Sequence, residues 1–387
     1  MKKLLIVNNN MKIGGVQKSL CNLLWSIHDN YEISLLLFNK SGEYLNELPD
    51  DVKIVNCDSW FKYLGMSQAE CSGSKKNRII RGSLAAISKI FGRNAAVFLV
   101  KLSQKTLQTE YDCAISYLQN GNPHNFYGGV NDFVIYKTKA KKKIAFIHCD
   151  YSACGSNTPV NNRLYYKFDR IAACSDGCRN SFLKALPELS DACFTVPNFY
   201  RFDEIKKLSQ INTKIYLNDR LNLLIVARLA HEKGVERALK AVSKLPENSV
   251  YLHIVGSGAK EAELQQLTEE LQLEKSVIFY GEQSNPYRFM PNADLLLLTS
   301  YHEAAPMVID EALSLGLPVL STETSSSREM IEECGIGVVC DNSQEGINNA
   351  LLKIVSDRAT LAEYKERAEH FECKNEETAL QFASVLE

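Results

Sequence analysis

The sequence predicts an α/β molecule built from two doubly wound parallel sheets, and three observations carry that reading. Short apolar runs rich in β-branched residues alternate with longer amphipathic stretches, the pattern of strand and helix units around a parallel sheet. In the second half these runs recur about every 20 to 30 residues, the span of one such unit. The chain of 387 residues also exceeds the roughly 250 to 300 at which single cores stop growing. Two domains facing a central cleft are therefore expected.

From the N-terminus the strand-like runs are LLIV at 4–7, ISLLLF at 33–38, CAISYL at 113–118, IAFIH at 144–148, RIAAC at 170–174 and FTVP at 194–197. A second set follows: LNLLIVAR at 221–228, VYLHIVG at 250–256, VIFYG at 277–281, ADLLLLTS at 293–300, PVLST at 318–322 and GVVC at 337–340. Between the sets, residues 199–220 are polar and lack a buried-strand pattern, which divides the chain into domains at 1–199 and 200–374.

Composition narrows the function classes. With 45% apolar and 23% charged residues and 10 prolines, the chain is neither disordered, collagen-like nor a coiled coil. A net charge of −2 and the lack of a DNA- or RNA-binding motif argue against a nucleic-acid partner. The charge is uneven, however: residues 60–145 hold 14 Lys and Arg against 4 Asp and Glu. Within this stretch, residues 75–107 read as one or two amphipathic helices, in which Ile79, Ile90, Phe91 and Phe98 are interleaved with Lys76, Arg78, Lys89 and Lys101. Such a segment suits an anionic membrane surface, and Lys137, Lys139 and Lys141 to Lys143 enlarge the basic patch. The alternative is a core-packed helix pair with solvated lysines.

The longest apolar stretch, from Leu84, is broken by Lys89 and Arg93, so no membrane span is expected. The start, MKKLLIVNNN, is too briefly apolar for a secretory signal. Twelve cysteines, among them Cys21, Cys57, Cys113, Cys149 and Cys193, sit mostly in or beside apolar runs, and no CxxC pair occurs. Cys174 and Cys178 are not spaced as a zinc knuckle. Buried reduced thiols and a cytoplasmic location are expected.

The densest chemical signal is TSYHEAAPMVIDEALSLGLPVLST, at 299–322. A strand ends near Ser300, a short loop holds Glu303, and Pro306 stands where a helix would begin, since its missing N–H is unpaired there anyway. The free N–H groups that follow can bind phosphate. Glu311 falls more than one turn inside that helix, so the two carboxylates bracket one pocket, each able to accept hydrogen bonds from sugar hydroxyls. Taken alone, the pair could equally be solvated surface acids. Upstream, VARLAHEKGVERAL places Arg228 and Lys233 at a strand's C-terminal end, where ligands of open parallel sheets bind and two cations would neutralise a diphosphate. HIVGSGAKEAEL adds Gly256, Ser257 and Gly258 at another strand-to-helix turn, short of a full GxGxxG.

These residues together resemble the retaining GT-B glycosyltransferases of the family 4 type, the glycosyl transferases group 1. The matched features are Glu303 and Glu311 with seven residues between them, Ser300, Arg228, Lys233-Gly234, the GxG turn and GLPV at 316–319. The likeness covers most of residues 221–340. In the first half it extends to Gly14-Gly15, to His148 at the end of KKKIAFIH, and to Pro197-Asn198, where Phe199 replaces the family's Gly. Ala304 likewise stands where the family usually has Gly.

The resemblance implies a metal-independent, cofactor-free hexosyltransferase with a GT-B fold. It would take a nucleotide-sugar donor such as a UDP-sugar and a saccharide or lipid-linked acceptor, in surface polysaccharide or glycolipid assembly. Arg228 and Lys233 would clamp the diphosphate, Glu311 the ribose hydroxyls and Glu303 the transferred sugar. Ala304, Ala305 and Pro306 would line the donor site, with the N–H groups of Met307 and Val308 at the helix tip. Gly281 and Glu282 would lie near the base, and Gly256 of the GxG turn would belong to the donor site. Gly14 and Gly15 would let the other domain's backbone approach, and His148 would contact sugar or acceptor. The segment 375–387 is expected to return to the first domain. Two other readings stay open: a GT-B nucleotide-sugar epimerase, and a catalytically silent subunit that binds a partner transferase.

Overall fold

The structure, a computed structural model, describes every residue except Asp58, Ala69, Ser72, Pro123, Leu217, Asn218 and Lys374. The chain divides into two compact units, Met1–Tyr200 with Asn375–Glu387, and Arg201–Lys374. Lys374, which also ends the expected 200–374 domain, lies outside the described residues.

In the first unit the strands are β1 (Lys2–Asn8), β2 (Tyr31–Leu37), β3 (Lys53–Asn56), β4 (Glu110–Ser116), β5 (Lys139–Ile147), β6 (Arg170–Ala173) and β7 (Cys193–Thr195). They form one parallel sheet in the order β3-β2-β1-β4-β5-β6-β7. β1 is central: Leu4 lies opposite both Ile33 and Cys113, and Leu4 to Val7 are wholly buried, as expected of a strand covered on both faces. Helix α1 (Gly15–Ile27) buries Leu20, Leu23, Leu24 and Ile27 in the same core as Leu4 and Ile6. Each such side chain contributes about 1.5–3 kcal/mol on burial. A helical hairpin, α2 (Lys75–Phe91) and α3 (Arg93–Leu102), interrupts the alternation between β3 and β4. The C-terminal segment completes this unit: Phe382 is buried, with its ring 6.1 to 6.4 Å from those of Tyr31, Phe146 and Phe199.

The second unit contains β8 (Leu221–Val226), β9 (Val250–Val255), β10 (Val277–Phe279), β11 (Leu295–Leu298), β12 (Val319–Thr322) and β13 (Gly337–Cys340). These are parallel, in the order β10-β9-β8-β11-β12-β13. The order reverses between β8 and β11, so their carboxyl ends open the crevice in which ligands of such sheets bind. Two parallel α/β sheets are what the alternation predicts.

Several local expectations are corrected. β3 was not anticipated, because KIVN is a short edge strand with polar ends and only two apolar residues. β8 stops at Val226, which leaves Arg228 in the loop beyond it. The helix Met307–Leu313 begins one residue later than expected: Pro306 is its cap, extended at φ −68° and ψ 111°, and not its first turn. The expectation that all thiols are reduced fails at Cys149 and Cys154, which are joined in a disulfide because the turn between them brings their Cα atoms to 6.7 Å. No described helix is long and apolar enough to cross a membrane.

Candidate active site

The second unit brings Lys233 and Glu303 together at the carboxyl ends of β8 and β11. The loop after β8 folds into a short turn at His231–Lys233 and then passes Gly234, whose φ of 57° is left-handed. A Cβ on Gly234 would stand 2.3 Å from the carbonyl oxygen of Thr299, so only glycine lets the two loops pass this closely. The Thr299 hydroxyl donates to the Gly234 carbonyl at 2.8 Å. Lys233 is thereby set beside the loop after β11. Its Nζ lies 2.5 Å from Oε1 of Glu303, and the hydroxyl of Ser300 donates to the same oxygen at 2.9 Å. Lys233, Ser300, Glu303 and Val308 all line one cavity, with Ala227 and Thr299 among its walls.

Other predicted donor residues lie in the same unit. Ala304 is buried, and its carbonyl accepts from Ser326; Ala305 is half-buried beside it. Glu311, buried on the helix Met307–Leu313, accepts from the Tyr287 hydroxyl at 3.1 Å. At the ends of β9 and β10, the N–H of Gly256 donates to Gly281 at 2.8 Å, and the Ser257 hydroxyl donates to Glu282 at 3.2 Å. Gly256 has φ 136°, and a Cβ there would meet the Ala227 carbonyl oxygen at 1.9 Å, which explains the glycine of the GSG turn. Arg228 stands apart. It is 70% exposed and pairs with Glu232, four residues on, instead of with the Lys233 cluster.

Sequence reasoning missed the clamp behind the Glu303 loop. Arg237 is buried one turn after Lys233; its Nη1 donates to the Thr299 carbonyl at 3.1 Å and to Asn342 Oδ1 at 2.7 Å. Asn342 Nδ2 in turn donates to the carbonyls of Tyr301 at 3.0 Å and Glu323 at 2.9 Å. The Arg237 guanidinium also stacks 4.6 Å over the Tyr301 ring. Nothing in VERAL marks its arginine as buried, and Asn342 lies in an ordinary strand-to-helix loop, so neither carried a signal.

In the first unit, Gly14 caps α1 and Gly15 opens it, with open space where a Cβ of Gly15 would stand. His148 follows β5. Its backbone N–H donates to Gln119 Oε1 at 2.8 Å, and its ring lies 4.5 Å from that of Tyr117. The Tyr117 hydroxyl is 2.7 Å from Ser19 on α1, so Tyr117 touches the helix of the glycine loop by a hydrogen bond and the histidine by its ring. Nε2 of His148 is buried, and the histidine side chain interacts with the thiol of Cys174. Burial pushes the Tyr117 phenol well above its ordinary range, so it serves this chain as a neutral hydroxyl.

Comparison with known proteins agrees with this geometry. Residues 210–371 match the family described as glycosyl transferases group 1. The chain is similar to the lipopolysaccharide glucosyltransferase WaaG of Escherichia coli K12, 32% identical over 161 residues, which are 40% of this chain and 43% of that protein. It is 25% identical to a Campylobacter jejuni N-acetylgalactosaminyltransferase acting on a diphospho-undecaprenol, over 95% of this chain and 94% of that one. The chain thus spans less than two thirds of the first curated relatives it matches, 43% of WaaG and 35% of the Methanocaldococcus jannaschii glycosyltransferase MJ1059. Among solved structures, Anabaena HepE in complex with UDP superposes with a TM-score of 0.67 at 16% identity, covering 100% of this chain and 97% of that one. WaaG itself superposes with a TM-score of 0.64 at 17% identity, over 99% and 98%. The resemblance first read between Glu303 and Glu311 is borne out: residues 210–371 match the glycosyl transferases group 1, and the two parallel sheets are those of the GT-B fold.

Proposed function

We propose that the chain is a retaining glycosyltransferase that moves a sugar from a nucleotide-sugar, a UDP-sugar in first place, to a saccharide or lipid-linked acceptor during assembly of a surface polysaccharide or glycolipid. The observation that carries this reading is the Lys233, Ser300 and Glu303 cluster at the point where the second sheet's strand order reverses. As the bond from the sugar's anomeric carbon to the β-phosphate breaks, the departing nucleoside diphosphate gains negative charge on its β-phosphate oxygen, and a cation fixed in advance lowers that barrier. An ammonium has three donors, so the bond to Glu303 leaves Lys233 two for phosphate oxygens. Glu303 would then accept from hydroxyls of the transferred sugar, and Glu311, held by Tyr287, from the ribose. Arg228, on its exposed loop, would add a second cation. Gly281 and Glu282 would border the base, with Gly256 of the GxG turn in the donor site.

The first unit would supply the acceptor side through Gly14, Gly15 and His148. No protein nucleophile is assigned: with front-face substitution, the departing phosphate helps to deprotonate the acceptor. The charges already in place also suit a reaction without metal or cofactor. A cytoplasmic location at the inner face of the cell membrane belongs to the same proposal, since a lipid-linked acceptor is held at a membrane.

The test is a panel of nucleotide sugars with the purified chain, reading nucleotide release and the anomeric configuration of the product by NMR. Release from one donor, with a product of unchanged configuration, is expected. Deuterium entering the sugar from solvent without acceptor would select an epimerase, and no release from any donor would leave a partner-binding subunit.

A further inference from the structure

The hairpin α2–α3 carries a surface that neither its own packing nor the proposed reaction explains. Its inner side packs into the first unit. Leu84, Ser88, Ala96, Val97 and Val100 are buried, the buried Arg93 donates to Asn161 Oδ1 at 2.9 Å, and Lys101 pairs with Asp132 at 3.0 Å. The outer side is apolar in an unusual way. Ile79, Ile90, Phe91, Phe98 and Leu102 are exposed, from 61% at Phe98 to 73% at Phe91, and Ile90 and Phe91 directly precede the left-handed turn at Gly92. Five large hydrophobic side chains on two short helices form a concentration that soluble surfaces normally avoid.

Charge tells what covers them. From Cys71 to Thr109 the chain has no Asp or Glu and eight Lys or Arg. Three of the eight serve the fold: Arg93 and Lys101 as above, and Arg81 through bonds to the Met66 carbonyl and Gln68. The other five, Lys75, Lys76, Arg78, Lys89 and Lys105, are exposed. The basic group at 137–143 contributes less than its sequence suggests, since Lys141 pairs with Asp112 and Lys143 donates to the Ile135 carbonyl.

We propose that α2–α3 docks on an anionic phospholipid bilayer, with Ile79, Ile90, Phe91, Phe98 and Leu102 entering the boundary of headgroups and acyl chains. The free lysines and Arg78 lie among the lipid phosphates. Long basic side chains can reach that layer while their stems stay with the apolar residues. A nucleic acid would use the charges and leave Ile90 and Leu102 in water. The inference concerns binding alone and is independent of the reaction proposed above.

The test is co-sedimentation of the full chain with phosphatidylcholine vesicles, alone or with phosphatidylglycerol. Binding is expected only with the anionic lipid, weakened but not abolished by high salt. Each basic residue removed should weaken it about fivefold, the equivalent of ~1 kcal/mol per charge near the surface, so K75Q/K76Q/K89Q should lose roughly a hundredfold. F91S/F98S should reduce binding at every salt concentration while circular dichroism and melting stay unchanged; if it melts early, the lysine series, on exposed side chains, carries the test. Equal binding to neutral vesicles, no binding to either, or full binding by both variants overturns the proposal. So does tight binding of an oligonucleotide that the lysine series weakens and that competes the chain off vesicles.

Discussion

At the scale of single residues, the candidate chemistry rests on Lys233 and the oxygen it shares with Ser300 on Glu303. Lys233→Met keeps the stem and removes the charge. It should lower kcat by about two to three orders of magnitude, the ~2.7–4 kcal/mol typical of one donor removed from a developing oxyanion. The melting temperature should move little, because the ion pair is partly solvated and such pairs contribute little to stability. Turnover close to wild type would remove Lys233 from the mechanism. His253 shows a residue of the opposite kind. It is buried between Asn222 and Tyr280, each at 3.0 Å, and burial, with Lys214 nearby, depresses its pKa to about 4. The unfolded chain binds this proton near pH 6.5, so the contribution of neutral His253 is fully present above that pH and is lost as pH falls toward 4. The loss at the acid limit is about 3 kcal/mol at most. His253→Asn should flatten the fall in melting temperature between pH 6.5 and pH 4; an unchanged slope would assign that fall to other groups.

At the scale of elements, the loop between β11 and the helix Met307–Leu313 is held by side chains from other parts of the second unit. Arg237 and Asn342 take the carbonyls of Thr299 and Tyr301, and the Thr322 hydroxyl takes that of Ser300 at 2.7 Å. This clamp keeps Glu303 within reach of Lys233 without touching it. Asn342→Ala should cost about 1–3 kcal/mol of stability, since it leaves carbonyls of the loop short of a donor. Steady-state kinetics should show kcat falling more than donor KM rises, with partial recovery in Asn342→Asp only if the side-chain length, and not the amide donor, matters. A melting shift with unchanged kcat would reduce Asn342 to a purely structural role. The hairpin α2–α3 is the contrasting element: its inner face is fixed by the fold, and its outer face takes no part in the fold's packing.

At the scale of the molecule, each unit has its own core, and the first is completed by a segment from the far end of the chain. Phe382 packs against Phe146, Phe199 and Tyr31, and the Leu386 carbonyl accepts from Lys2 at 3.4 Å. Phe382→Ala should destabilise the first unit by about 3–5 kcal/mol. Calorimetry should place the loss in one of two transitions; a uniform shift of both would mean that the units unfold together.

The sequence by itself determined the α/β class, the two parallel sheets and the motif from Lys233 to Glu311, because burial on both faces forces continuous apolar runs and strand-end turns demand Gly, Pro and charged residues at fixed offsets. It could not show that Arg228 turns to Glu232, that Cys149 meets Cys154, or that Arg237 and Asn342 brace the Glu303 loop. Those pairings join residues whose types are unremarkable one at a time and whose partners are chosen by where loops happen to cross. Only the tertiary structure decided them, since a hydrogen bond or ion pair depends on separations of a few tenths of an ångström that no periodicity encodes.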